Sequence, residues 1–337
     1  MASFGGRVHR RLLCAFGCAI LVTVLAACGG GGAASSAGSG SAGAGATEAG
    51  RGSLVNLTVA YAAPGAGFSD LYVGVADGIF KKYGLNVKIV QVTSNNLVPA
   101  LLSGSAQIAG GDADDAASAI LGGESLRFVA LTQGTYNLQL WVDKGITSVR
   151  DLAGKTVALT TMGSETDVGL TALLQSQGVN PGSVGRKYLV TQPEELSAMR
   201  SGAAVAGLFQ PPNAQSLTKA GGRVLDSLTN LPYAVGTYVA TSSYLTANPG
   251  VITKFIDAEQ ASLAFLRSSP QQTVAAIHQY NPTSTVAGDT IAYHFFLKVW
   301  KDSPAVDPSL IQAAFTRAAA KAHATAPPSV TPYIVSP

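Results

Sequence analysis

Cysteine is scarce in this chain, and histidine nearly so. The three cysteines are Cys14, Cys18 and Cys28. All lie near the amino terminus, so the body of the chain has no means to form a disulfide or a cysteine-based metal site. The histidines are His9, His278, His294 and His323. None falls in a loop that follows a predicted strand, which removes the commonest general base from any candidate site. Charge is sparse too, at 12% of 337 residues with a net value of +3. No lysine or arginine run occurs in the body, which argues against a nucleic-acid surface. A G-x-S-x-G elbow and a phosphate-binding P-loop are both missing. An enzyme reading would therefore rest on carboxylates alone. What the chain has in quantity is glycine, 38 residues, and hydrophobic residues, 47%. That is enough for a large core and for two lobes.

The first residues have the composition of an export signal. Arg7, His9, Arg10 and Arg11 make a basic start, and Leu12 to Ala26 is apolar but short for a membrane span. The ending Leu25-Ala26-Ala27-Cys28 resembles a bacterial lipobox. That resemblance implies removal of residues 1–27 and lipid attached at Cys28; an ordinary cleavage site beside a stray cysteine is the alternative. Residues 28–53 are almost all Gly, Ala and Ser and read as a flexible tether. The expected location is outside the cytoplasm, on the periplasmic or extracellular face of a membrane, held there by the lipid.

Leu57 to Val92 is the stretch around which the rest of the chain is organised. Leu57–Ala62 reads as a buried strand, and Ala63 to Phe68 is a turn rich in Gly and Pro. Ser69 or Asp70 is placed to cap a helix. Leu71, Val75 and Ile79 repeat every four residues, as do Tyr72, Ala76 and Phe80, so one helix is expected with a wide apolar stripe. Lys81 and Lys82 suit its last turn and Gly84 its left-handed end. Leu85, Val87 and Ile89 then alternate into a second strand. The unit is a right-handed βαβ crossover whose loop lies where open α/β sheets bind ligands.

Three segments carry a family resemblance. They are Gly78–Val90 (GIFKKYGLNVKIV), Ala100–Ala109 (ALLSGSAQIA) and Gly145–Leu159 (GITSVRDLAGKTVAL). In order and spacing they resemble solute-binding proteins of ABC importers, nearest to the nitrate, sulfonate, taurine and thiamine-pyrimidine-precursor binding family. The likeness spans residues 54–325. It implies an α/β fold of the periplasmic-binding-protein type 2 class, with two lobes and a hinged cleft between them. Lobe 1 is expected from residues 54–142 and 235–337, and lobe 2 from 143–234. Leu138–Val142 is expected to be the last strand of lobe 1. The function implied is capture of a small organic solute by a monomer, without a cofactor, and delivery to a membrane permease driven by a separate ATPase. A lipoprotein receptor that feeds a signalling partner is the alternative. The wider resemblance includes eukaryotic pyrimidine-synthesising enzymes, but their cysteine-rich motif is missing here.

The candidate ligand residues sit in the loops after predicted strands. They are Pro64, Gly65, Gly67 and Phe68; Asn95 and Asn96; Gly111 and Asp112; Thr132 and Gln133; Thr161, Met162, Gly163, Ser164 and Glu165; and Gln210 with Pro211. Several of these loops open helices, whose free N–H groups attract anions or polar atoms. A turn with a helix cap explains each loop equally well. None of them carries Lys or Arg, which disfavours a cation-dependent anion site. Asp112 reads either as an N-cap or as a ligand contact, and Glu165 as a first-turn acid or a ligand contact. Contact by either would favour an amine or a ring nitrogen. Asp112, Asp114 and Asp115 lack the glycine and distant glutamate of a calcium loop, so no metal is expected. The family has an aromatic or acidic residue before proline where Gln210 stands.

Overall fold

The computed structural model describes residues 53–62 and 65–335. The signal, most of the tether, Cys28 and Pro64 lie outside them. Among the described residues the strands run β1 (Val55–Ala62), β2 (Leu85–Val92), β3 (Ile108–Gly111), β4 (Leu126–Thr135), β5 (Gln139–Val142), β6 (Thr156–Leu159), β7 (Gly185–Tyr188), β8 (Ala206–Phe209), β9 (Arg223–Ser227) and β10 (Pro232–Thr241). They form two five-stranded sheets, ordered β2-β1-β3-β10-β4 and β7-β6-β8-β5-β9.

The two sheets repeat one plan. In the first, β1 pairs in parallel with β2 and β3, and β10 runs antiparallel between β3 and β4. In the second, β6 pairs in parallel with β7 and β8, and β5 runs antiparallel between β8 and β9. Each sheet thus receives its antiparallel member from the segment that has just crossed from the other. This corrects one expectation: Leu138–Val142 does not close the first lobe. The chain leaves the first sheet at Thr135, and Leu140 and Val142 are buried against Val157, Leu159 and Leu208 of the second. Alternation marks the segment as a strand but cannot say which sheet it joins.

Side chains that alternate along β1 enter opposite cores. Val59 and Tyr61 pack with α1 (Ser69–Ala76), while Ala60 and Ala62 pack on the other face. The expected single helix after β1 is two pieces. Gly78 takes a left-handed conformation (φ 67°), and α2 (Ile79–Lys82) starts after it. Neither Ser69 nor Asp70 caps α1. Ser69 Oγ donates to Ala66 O, and Asp70 is buried, accepting a 2.6 Å bond from Tyr238. Gly84 does take the left-handed conformation, at φ 79°.

The other helices cover the sheets. In chain order they are α3 (Leu97–Leu102), α4 (Ala113–Leu121), α5 (Glu165–Ser176), α6 (Gln192–Arg200), α7 (Ser242–Ala247), α8 (Pro249–Ser268), α9 (Pro270–Tyr280), α10 (Val286–Phe296) and α11 (Pro308–Ala322). Phe255, Leu263 and Leu266 of α8 and Ile277 of α9 complete one core of the first sheet, and Ile311, Phe315 and Ala318 of α11 the other. The carboxy-terminal helices therefore return to the first sheet.

The crossing segments run side by side. Tyr136 N donates to Leu231 O at 3.2 Å, and Leu228 N to Leu138 O at 3.0 Å. The rings of Tyr136 and Tyr233 stack 4.3 Å apart. Just beyond, Gly236 has φ +61°, and a Cβ there would lie 2.7 Å from both Thr132 Oγ1 and Gln133 Nε2. Only glycine suits that irregular step in β10.

Glu195 of α6 is fully buried, and neither carboxylate oxygen has a hydrogen-bond partner. Burial raises its carboxyl to about 8. The folded state therefore holds this proton more tightly than the unfolded chain. Its contribution to stability is full in acid and falls as pH rises from the ordinary carboxyl range through about 8. Glu195→Gln is expected to unfold at higher urea than the parent at pH 9, by roughly 2–4 kcal/mol, since a tenfold change in proton affinity is worth about 1.4 kcal/mol. The gap should close by pH 5; an equal gap at both pH values would show that ionisation is not its cause.

Candidate functional site

A cavity of about 230 Å³ lies between the two sheets. It is built at the carboxyl ends of the parallel strands of both, the usual ligand position in open α/β sheets. The first sheet contributes Gly67 and Phe68 after β1, Ser94 after β2, Gly111 at the end of β3 with Asp112 after it, and Gln133 on β4. The second contributes Thr160, Ser164, Glu165 and Thr166 after β6, Gln192 after β7 and Gln210 after β8. Asn137 and Leu138 come from the crossing segment between β4 and β5, Val235 from β10, and Ala62 from the end of β1.

Three side-chain amides join the two halves. Gln210 Nε2 donates to Asn137 Oδ1 at 2.7 Å, Asn137 Nδ2 to Gln133 Oε1 at 3.0 Å, and Gln133 Nε2 to Gly67 O at 2.8 Å. Gln133 and Asn137 are buried, so each needs the partners it has. Hydroxyls form a second cluster where α5 begins. Thr160, Ser164 and Thr166 lie within 2.9–3.0 Å of one another.

Two carboxylates reach the cavity, one from each sheet's loops. Asp112 stands at the N-cap position of α4, yet its side chain makes no capping bond. Glu165 is the first residue of α5, and its Oε1 accepts a long 3.4 Å bond from Asn137 N. Burial pushes Asp112 well above the usual carboxylate range, and Glu165, Asp115 and Asp114 push it further. Burial likewise raises Glu165 to about 7. Arg317 of α11 is close, but its Nε and Nη2 bind both oxygens of Asp114 at 2.8 and 2.7 Å, and its guanidinium lies 4.7 Å over the Tyr233 ring.

The remaining sequence candidates lie elsewhere. Asn95 and Asn96 are exposed, and Asn96 bonds Thr93 within its own turn; their neighbour Ser94 faces the cavity instead. Thr132 is buried and donates to Gly236 O, holding the irregular step of β10. Thr161 and Met162 are exposed, and Gly163 faces Lys321 of α11 outside the cavity. Gly65 approaches Gln210, whose Oε1 would be 3.5 Å from a Cβ there. Pro211 is buried behind Gln210, its bond to Pro212 cis.

Ser94 and Thr160 belong to the candidate loops 94–96 and 160–164; outside those loops, sequence reasoning missed Ala62, Asn137, Leu138, Thr166, Gln192 and Val235. One of them had a signal. Thr191 and Glu194 form a capping box that opens α6, which marks Gln192 as the first helical residue after a strand. Asn137 had none, because its place depends on the crossing of the chain. Among the described residues, no group of three His, Cys, Asp or Glu side chains is placed to hold a metal ion.

The model of the NMT1/THI5-like family matches residues 66–273. The chain belongs to this family. The match begins in the loop after β1 and ends in α9, so it spans both crossings and every cavity-lining residue except Ala62. A search of curated proteins gave no match. Among solved structures, the periplasmic aliphatic sulphonate binding protein SsuA from Escherichia coli superposes with a TM-score of 0.65 at 21% identity, over 80% of this chain and 92% of its own. The alkanesulfonate-binding protein SsuA from Xanthomonas axonopodis, bound to MOPS, gives 0.64 at 18% identity, over 84% and 99%. The ligand-binding component of an ABC-type import system from Staphylococcus aureus, with zinc bound, gives 0.67 at 15%, over 83% and 96%. These likenesses show that the NMT1/THI5-like chain has the two-lobed periplasmic-binding-protein fold.

Replacing Asn137 and Gln210 by Ala, singly and together, measures the bond between the halves. The expected coupling in urea unfolding is about 1–2 kcal/mol, because either single change leaves a buried amide unpaired. Additive losses would show that this bond does not join them.

Proposed function

We propose that the chain is the substrate-binding component of an ABC importer. It captures a small organic solute between its lobes and presents the closed form to a membrane permease driven by a separate ATPase. The observation that carries this reading is the cavity itself. It is lined from the strand ends of both sheets, with polar side chains from each and with the two crossing strands as its back wall. Such a site gains its full set of contacts only when the halves meet, so solute binding favours closure. The names of the superposed proteins support the same role, since they bind sulphonates or belong to import systems.

Binding rather than turnover is the reading that suits the lining residues. They include neither His nor Cys, and the hydroxyls of Thr160, Ser164 and Thr166 bond one another rather than a base. Contacts to the solute are assigned to Gly67, Phe68, Gly111, Asp112, Gln133, Ser164, Glu165 and Gln210, joined by Asn137 and Gln192. The chain acts as a monomer, exported and tethered outside the cytoplasm through lipid on Cys28. Its lobes move about the paired crossings at 136–138 and 228–233.

The test is made in the cells that produce the chain. The full chain, purified and then denatured, should release about one small solute per molecule. Cells lacking the chain should take up that solute at less than about one tenth of the normal rate. Uptake should return with the parent gene, and Cys28→Ser should move the protein from the membrane to the soluble fraction. Release of no solute, with normal uptake of small solutes in the deleted cells, would contradict the proposal.

A further inference from the structure

We infer that the solute is an organic cation, an ammonium or amidinium group on a small apolar body, clamped between Asp112 of one lobe and Glu165 of the other. This rests on the binding-protein reading above and names the chemistry of its ligand.

The first argument is charge. The cavity lining contains two carboxylates and no lysine or arginine. Arg317, the cation beside them, already has both oxygens of Asp114 as partners. The other charged or titratable groups that act on the pair are Asp114 and Asp115 of α4 and the tyrosines of the crossings. An anion entering here would meet a carboxyl group from each lobe, repulsive wherever it is ionised, and no lining cation to offset it.

The second argument concerns the helix ends. Free N–H groups at the starts of α4 and α5 are the features that would otherwise hold a sulfonate or nitrate. Both starts already carry acids: Asp112 precedes α4, with Asp114 and Asp115 in its first turn, and Glu165 opens α5, with Asp167 behind it. The positive ends of the helix dipoles are therefore matched from within the chain.

The third argument is the set of unused acceptors. Asp112 caps nothing, and Glu165 has only its long bond to Asn137. In the amide chain, Gln133 Oε1 and Asn137 Oδ1 each accept a bond, while Gln210 Oε1 accepts none among the described residues. The cavity thus presents acceptors to a ligand that donates N–H bonds. Ala62, Phe68, Leu138 and Val235 supply an apolar wall for the rest of it. Closure of the empty protein brings two carboxylates together; a cation between them removes that repulsion. Its affinity is therefore greatest in the closed state, as a closure-driving ligand requires.

The test uses the full chain at pH 8 and titration calorimetry. The probes are acetamidine, benzylamine and benzamidine, each with the sulfonate that carries the same methyl, benzyl or phenyl group: methanesulfonate, toluene-α-sulfonate and benzenesulfonate. At least one cation is expected to bind and no sulfonate. Asp112→Asn and Glu165→Gln should each weaken that cation by about tenfold or more. Their thermal midpoints without ligand should not fall, because each change relieves repulsion. Binding of a sulfonate in place of its cation would overturn the inference and leave the binding-protein reading intact. Cation affinity unchanged in both variants would overturn it too. Binding by neither series would also remove it, and the import role would then rest on the solute released from the purified chain.

Discussion

The two crossings between the sheets, held side by side, are the constraint on which the rest depends. The bonds from Tyr136 to Leu231 and from Leu228 to Leu138, with the Tyr136–Tyr233 stack, fix where each half begins. Each crossing then delivers the antiparallel strand of the sheet it enters, β5 to the second and β10 to the first. This places the carboxyl ends of β1, β2 and β3 opposite those of β6, β7 and β8. The cavity is a consequence of that arrangement. Asn137 sits at the crossing and touches Gln133 on one side and Gln210 on the other, so the same few residues carry the chain across and line the site.

Electrostatics separates this site from a generic polar cleft. A partly buried carboxylate is costly when alone, and a second carboxylate nearby makes it more so. The chain places Asp112 and Glu165 on opposite lobes and commits the nearby guanidinium to Asp114. The resulting cleft is short of positive charge until something brings it. The solved structures share the fold at 15–21% identity. At that distance the lining side chains, not the fold, decide what is bound.

Much of the architecture could be read from residue order alone. Strand, glycine-rich loop and helix recur with alternation and four-residue spacing, and the loops after β1, β2, β3, β4, β6 and β8 are the candidates for the cavity. Gly67, Asp112, Glu165 and Gln210 were legible for that reason. Features set by distant partners were not. Nothing local to Leu138–Val142 tells which sheet it joins. The apolar stripe continues past Gly78, so the break between α1 and α2 left no trace in the periodicity. Thr132 and Asn95 sit in the right loops but point elsewhere, one into the step at Gly236 and the other into solvent. Asp70 has the position of a cap, yet Tyr238, far away in sequence, takes its carboxylate.

The central claim is that the two halves close on a solute about these crossings. The most direct measurement is the distance between spin labels on the exposed rims, attached after Asn95→Cys and Met162→Cys in a chain with its native cysteines changed to serine. Pulsed electron paramagnetic resonance with and without the solute released from the purified protein would give the two distributions. The account predicts a shorter, narrower distribution with solute, and a broader one without it. Identical distributions in both conditions would contradict it.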